Sequence, residues 1–119
     1  MALQLYSYWR SSAAYRVRIA LALKGLPYAT IPKHLVRNGG EQLQADYLAL
    51  NPEGRVPALA DDGQVISQSL AICEYLEEQH PEPRLLPGSA LDRAAIRAHA
   101  AMRSSILRCD LARHAGRLL

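Results

Sequence analysis

Two serines, Ser11 and Ser12, stand at the predicted start of a helix, with arginines on both sides. A helix N-terminus presents unpaired N–H groups and the positive end of the helix dipole, so it favours an anion. A serine there can donate its hydroxyl as well, and Arg10 and Arg16 add positive potential. The site suits a carboxylate or a thiolate, because a thiol near such an end loses its proton more readily. Ordinary N-capping by one serine is the alternative that these residues leave open.

Two further segments have similar chemistry. Gln68 and Ser69 lie at a second predicted helix start, where Ser69 can either cap the helix or bind a carboxylate with its N–H and hydroxyl. Val56 precedes Pro57 just before a predicted strand, and an X–Pro bond can be cis at modest cost. A cis bond there would leave the main chain of Val56 free to pair with a peptide-like ligand; the alternative is an ordinary proline at a strand edge.

The elements around the serines are a strand and a helix. Leu3–Tyr8 alternates apolar and polar-tipped residues and predicts a strand. The helix that follows is predicted to run to about Lys24 and to end at Gly25, a typical left-handed C-cap. Its pattern predicts a buried stripe formed by Ala14, Val17 and Leu21. The cations Arg16 and Lys24 are predicted to stay in solvent.

The rest of the chain predicts further elements in a recognisable order. Tyr28–Leu35 reads as a strand that Pro32 places at an edge or ends early. A short irregular helix over Gln42–Leu50 and a hairpin over Arg55–Ser67, turning at Asp61-Asp62-Gly63, come next. A helix over Ser69–Gln79 is predicted to bury Ile72, Cys73 and Leu76.

The order β-α-β-α-β-β-α predicts an α/β fold of the thioredoxin-like type, with the first two strands parallel through a right-handed crossover. The predicted domains are this fold at residues 1–80, a proline-rich linker at 81–89, and the start of an all-helical domain at 90–119.

Composition narrows the function classes. Half of the 119 residues are hydrophobic and 21% are charged, which is typical of a globular protein and not of a disordered chain. No apolar run approaches the roughly 20 residues of a membrane span, and no signal peptide is recognisable, so a cytoplasmic location is expected.

The cysteines and histidines have no metal-ligand spacing, so no metal site is expected. Residues 90–119 carry six arginines against two aspartates, which favours a solvated helix face over a nucleic-acid site because aromatic platforms are absent.

Taken together, three segments resemble the zeta class of glutathione transferases, which includes maleylacetoacetate isomerase. They are SSAAYRVRIALALKG, NPEGRVPAL and QSLAICEYLEE. The resemblance covers roughly residues 3–97, and its motifs occur in the family's order.

The resemblance implies a glutathione site and a reaction. Ser11 would hydrogen-bond the glutathione sulfur with support from Ser12, and Arg16 of the same helix is a further cofactor-binding candidate. Gln42, Val56 and Pro57 would hold the backbone of the tripeptide, and Gln68 and Ser69 would bind its γ-glutamyl end. The implied reaction is isomerisation of the diacid maleylacetoacetate to fumarylacetoacetate in tyrosine and phenylalanine breakdown, with possible transferase activity, by a homodimer. No nucleic-acid or membrane partner is expected.

Two departures from the family pattern leave alternatives open. Ala13 occupies the position of the family's cysteine, and the chain is short for a family whose second, helical domain forms the substrate wall. We therefore expect partial glutathione binding with little isomerase activity. The alternatives are a glutathione-dependent maleylpyruvate isomerase and a non-catalytic glutathione-binding module. A thioredoxin-like redox protein is disfavoured, because no CxxC is present.

Overall fold

Strands and helices alternate along residues 2–102, the part of the chain that the computed structural model describes. The strands are β1 (Leu3–Ser7), β2 (Tyr28–Pro32), β3 (Ala58–Asp61) and β4 (Gln64–Ser67). The helices are α1 (Ser12–Leu23), α2 (Ala45–Leu50) and α3 (Ser69–Gln79), and 3-10 turns at Arg37–Gly39 and Glu41–Leu43 precede α2. The α/β order predicted from the sequence is confirmed, and α3 has the predicted bounds.

The four strands form one mixed sheet in the order β2-β1-β3-β4. β1 and β2 are parallel, β3 runs antiparallel to β1, and β4 reverses again. The carboxyl ends of β1, β2 and β4 therefore meet the amino end of β3 at one end of the sheet. We call this end the Ser7 edge; its residues are Ser7, Pro32, Ala58 and Ser67. Both α1 and α3 begin there, because each follows a strand that ends there.

Local signals explain where these elements stop. Gly25 has φ +64° directly after α1, the left-handed conformation that a C-cap glycine adopts without a steric penalty. The hairpin turns at Asp62 and Gly63, with φ values of 51° and 82°, as a type I′ turn requires. β2 lies at the sheet edge and ends at Pro32, so both readings of that proline are confirmed.

Each face of the sheet is covered by helix. Tyr6 of β1 packs with Tyr47 of α2, the two ring centroids being 5.5 Å apart, in a cluster that includes Ala58 and Ala60. Since side chains alternate along a strand, Leu5 and Leu59 face the other side, where α1 and α3 pack. The predicted stripe of α1 (Ala14, Val17, Leu21) is fully buried, as are Ile72 and Leu76 of α3.

Lys24 contradicts the prediction that it stays in solvent. Its side chain is 0% exposed, and Nζ lies 2.7 Å from Oε1 of the buried Glu77. Nζ also donates to the carbonyls of His80 at 2.6 Å and Pro83 at 2.8 Å. All three ammonium protons therefore have acceptors. The prediction failed because the acceptors lie on α3 and in the segment directly after it, 53 or more residues along the chain.

The chain divides into two compact units, Met1–Pro83 and the residues from Arg84 onward. In the second unit, residues 90–102 are helical. Ser89 and Asp92 form a capping box: Asp92 N donates to Ser89 Oγ at 3.2 Å, and Ser89 N donates to Asp92 Oδ2 at 3.0 Å. These hydrogen bonds hold the pKa of Asp92 below its usual value.

The predicted basic tail and the rest of the helical domain, residues 103–119, lie outside the described residues. The boundaries predicted at residues 80 and 89 stay predictions.

None of the helices within residues 2–102 combines the length and the apolar character needed to cross a bilayer.

The buried ion pair gives a stability prediction. Lys24→Met removes the buried ammonium that pairs with Glu77 and donates to two carbonyls, so we expect the free energy of unfolding to fall by about 3 kcal/mol. Urea unfolding followed by circular dichroism measures this. Lys33→Met is the matched control: its partner Asp46 is 71% exposed and 3.7 Å away, so a loss below about 1 kcal/mol is expected. Equal effects of the two substitutions would contradict the role of Lys24.

Candidate functional site

Ser11 is the N-cap of α1. Its Oγ accepts a hydrogen bond from Ala14 N at 3.1 Å, so the capping interpretation is confirmed. Capping uses a lone pair, however, and the hydroxyl proton remains available for a ligand. The two roles that the sequence left as alternatives are thus compatible. Ser11 is half-buried and Ser12 is exposed.

The starts of α1 and α3 are joined by a side-chain hydrogen bond. Arg16 Nη1 donates to Ser69 Oγ at 2.7 Å, and Ser69 is 7% exposed. The guanidinium therefore lies beside the α3 start, where it adds a full positive charge to the dipole of that helix. This contact brings Arg16 and Ser69, predicted as separate features, into one place.

Ser69 does not cap α3, so that alternative for this residue is wrong. Gln68 occupies the N-cap position, with φ 72° and ψ 120°, and its carbonyl accepts from Ile72 N at 2.9 Å. With Ser69 as the first helical residue, its hydroxyl accepts from Arg16 and retains a proton to donate.

Glu53 is a residue that the sequence analysis missed. Its Oε1 accepts from Ser67 Oγ at 2.9 Å, and its Oε2 accepts from Gln68 Nε2. The carboxylate thereby ties the loop before β3 to the start of α3. The sequence offers no local signal for this, because Glu53 and Gln68 are 15 residues apart.

The Val56–Pro57 bond is cis, as the sequence allowed. Between described residues, no main-chain hydrogen bond engages Val56, so its N–H and C=O can pair with a ligand. Pro57 is buried, and the Val56 side chain packs against the cluster of Tyr6 and Tyr47.

Side chains from the end of α2 hold the loop that carries Val56. The Tyr47 hydroxyl and Asn51 Nδ2 both donate to the carbonyl of Arg55, the latter at 3.0 Å. Burial raises the pKa of the Tyr47 phenol, which keeps it protonated as a donor. Glu53 N donates in turn to Asn51 Oδ1 at 3.2 Å. The loop is therefore fixed from both sides before it meets any ligand.

Gln42 lies against the same loop. A Cβ on Gly54 would approach the Gln42 carbonyl to 3.4 Å, which shows how closely the two segments pack. Gln42 Nε2 is 3.4 Å from the Leu35 carbonyl. Its buried Oε1 has no hydrogen-bond partner among the described residues, so an acceptor is available beside the Val56 loop.

Cys73 is half-buried, not fully buried as predicted. Burial raises the pKa of its thiol, which disfavours the reactive thiolate. Within residues 2–102, no cluster of three or more histidine, cysteine or acidic side chains could hold a metal ion.

The chain matches known proteins over most of its length. The family described as "Glutathione S-transferase, N-terminal domain" matches residues 10–79. The maleylacetoacetate isomerase of Pseudomonas aeruginosa is 54% identical over 110 residues, which cover 92% of this chain and 50% of that protein. The chain therefore spans about half the length of this relative.

Two solved structures resemble the fold. A bacterial maleyl pyruvate isomerase in holo form, described as a zeta-class glutathione S-transferase, has a TM-score of 0.77 at 50% identity, covering 82% of this chain and 45% of its own. The maleylacetoacetate isomerase of Methylobacterium extorquens AM1, solved with malonate and glutathione, has a TM-score of 0.75 at 49% identity, covering 80% and 44%. The family match, the identity to these relatives and the shared fold together show that this chain belongs to the glutathione S-transferase family, in its zeta class.

Proposed function

We propose that this chain binds glutathione at the Ser7 edge and serves a glutathione-dependent cis–trans isomerase that acts on maleylacetoacetate. The observation that carries the proposal is the hydrogen bonding of the Ser11 hydroxyl. Its hydroxyl caps α1 as an acceptor and keeps its proton for an anion. The start of α3, which can bind a second anion, lies at the same edge of the sheet. The unpaired main chain of Val56 also lies there.

The residues at this edge fit the three parts of the tripeptide. Ser11, with Ser12 beside it, would hold the sulfur as a thiolate. The free main chain of Val56 before Pro57 and the unpartnered Oε1 of Gln42 would bind the peptide groups. The γ-glutamyl carboxylate would meet the α3 start and its attached guanidinium, formed by Gln68, Ser69 and Arg16.

When held by these residues, glutathione would supply the nucleophilic thiolate for covalent catalysis of the isomerisation. Ser11 lowers the free energy of that thiolate by donating to it, and the dipole of α1 acts in the same direction. Arg16 and Ser69 orient the tripeptide from its other end. The residues of this chain thus bind and activate the cofactor.

The rest of the proposal depends on the relatives. Their names include maleylacetoacetate isomerase and maleylpyruvate isomerase, so maleylpyruvate is the second candidate substrate. From the same resemblance to the family, we also propose a transferase activity, a cytoplasmic location and a homodimer. Because the matched relatives are about twice as long, we propose that this 119-residue chain binds glutathione but contributes little turnover alone.

Calorimetric titration with glutathione, followed by assays with both diacids, tests this function. We expect saturable binding, and product formation far below that of the full-length Pseudomonas relative measured alongside. A folded chain that releases no binding heat at millimolar glutathione would contradict the binding proposal. Turnover equal to the relative's would contradict the proposed need for the remaining half.

Replacing Ser11 tests its role toward the thiolate. Ser11→Gly costs a helix cap only a few tenths of a kcal/mol but removes the hydroxyl donor. We expect the pKa of the bound glutathione thiol to rise by about one unit, measured from thiolate ultraviolet absorption against pH. Ser11→Thr keeps the hydroxyl and should leave that pKa near the parent value. The same pKa in both variants would exclude Ser11 as the donor.

Glu53 should act as a positioning residue for Gln68. Glu53→Gln replaces a charged acceptor by an amide and weakens the hydrogen bonds that orient Gln68 and Ser67, so glutathione affinity should fall about fivefold to tenfold. Glu78→Gln removes the same charge from an exposed position on α3 and should leave the affinity unchanged. If glutathione binds the two variants equally well, Glu53 has no such role.

A further inference from the structure

A second concave site lies beside the edge strand, in the groove between α1 and β2. We call it the α1–β2 groove; its volume is about 440 Å³. The groove reaches Ser7 and Pro32 of the Ser7 edge, but none of the side chains proposed to hold glutathione lines it. Its lining includes two arginines, three aromatic rings and the pair His34 and Glu41; the arginines are Arg18 and Arg37, and the rings belong to Tyr8, Trp9 and Tyr28.

The groove carries more positive charge than its surroundings neutralise. Neither Arg18 nor Arg37 forms an ion pair with a carboxylate of the described residues, and the Arg18 guanidinium lies over the Tyr15 ring at 5.5 Å. The acidic lining residue, Glu41, is engaged locally, since its Oε1 accepts from His34 N at 2.7 Å. Two guanidinium groups therefore remain for an anionic ligand.

The aromatic lining adds apolar ring surface to the groove. The Tyr8 ring packs edge-on against the rings of Trp9 and His34, with centroid distances of 6.1 Å and 5.0 Å. Trp9 is 68% exposed, although its size normally favours burial. A planar ring can stack there while its charged group reaches the arginines.

His34, which lines the groove, is a further hydrogen-bonding side chain there. Its Nδ1 accepts from Val36 N at 3.1 Å and from Arg37 N at 2.9 Å. In the neutral ring the hydrogen therefore lies on Nε2, which becomes a hydrogen-bond donor.

We propose that the α1–β2 groove is a binding site for a planar aromatic carboxylate, separate from the glutathione site. The carboxylate pairs with Arg18 and Arg37, and the ring packs against the side chains of Tyr8 and Trp9. The proposal rests on this groove alone and does not depend on glutathione binding.

2-Naphthoate is the probe, and Trp9, the sole tryptophan of the chain, is the reporter. Titration followed by the indole N–H resonance of Trp9 should show saturable binding. The neutral 2-naphthamide should bind several-fold more weakly. Arg18→Gln and Arg37→Gln should each weaken naphthoate about fivefold to tenfold. Arg55→Gln, which removes the same charge from an exposed position outside the groove, should have no effect.

Competition with glutathione separates the two sites. Saturating glutathione should leave the naphthoate affinity unchanged, and circular dichroism should show that all variants remain folded. The absence of saturable binding, equal binding by all three arginine variants, or displacement of naphthoate by glutathione would each overturn the proposal. A chain that binds naphthoate but not glutathione would support the groove and contradict only the proposed function.

Discussion

The alignment of α1 with α3 is the constraint on which the rest of the structure depends. Two polar contacts fix it, one near each end: Arg16 with Ser69, and the buried Lys24 with Glu77. Both contacts join residues 53 positions apart, so the helices run parallel in one register over about 12 Å. Apolar side chains between the contacts close the core on this face. A buried lysine is tolerated here because each of its protons has an acceptor.

This alignment has a chemical consequence at the Ser7 edge. Strand polarity brings the starts of α1 and α3 to the same end of the sheet, and the two helix dipoles then point the same way. The amino end of β3 reaches that edge from the opposite direction and carries the cis Val56–Pro57 segment. Two positive helix ends thus flank an unpaired stretch of main chain, an arrangement that suits a peptide with an anion at each end.

Several elements could be predicted from the sequence because their signals are local. Gly25 ends α1, and Asp62-Gly63 turns the hairpin, through backbone conformations that only a few residue types adopt readily. The stripe of Ala14, Val17 and Leu21 follows from helical periodicity. The prediction that Lys24 stays in solvent failed because its acceptors lie on α3 and directly after it, far along the chain. Ser69, a possible cap, is instead the first helical residue, because Gln68 occupies the N-cap position.

By itself, the sequence determined the order of the elements, the candidate anion-binding residues and the family motifs that join them. Those properties depend on residue type and spacing within short segments. Only the tertiary structure decided that Arg16 meets Ser69, that Glu53 holds Gln68, and that Arg18 and Arg37 line one groove with Tyr8 and Trp9. The physical reason is that strand pairing and helix packing, which set these contacts, join segments far apart along the chain.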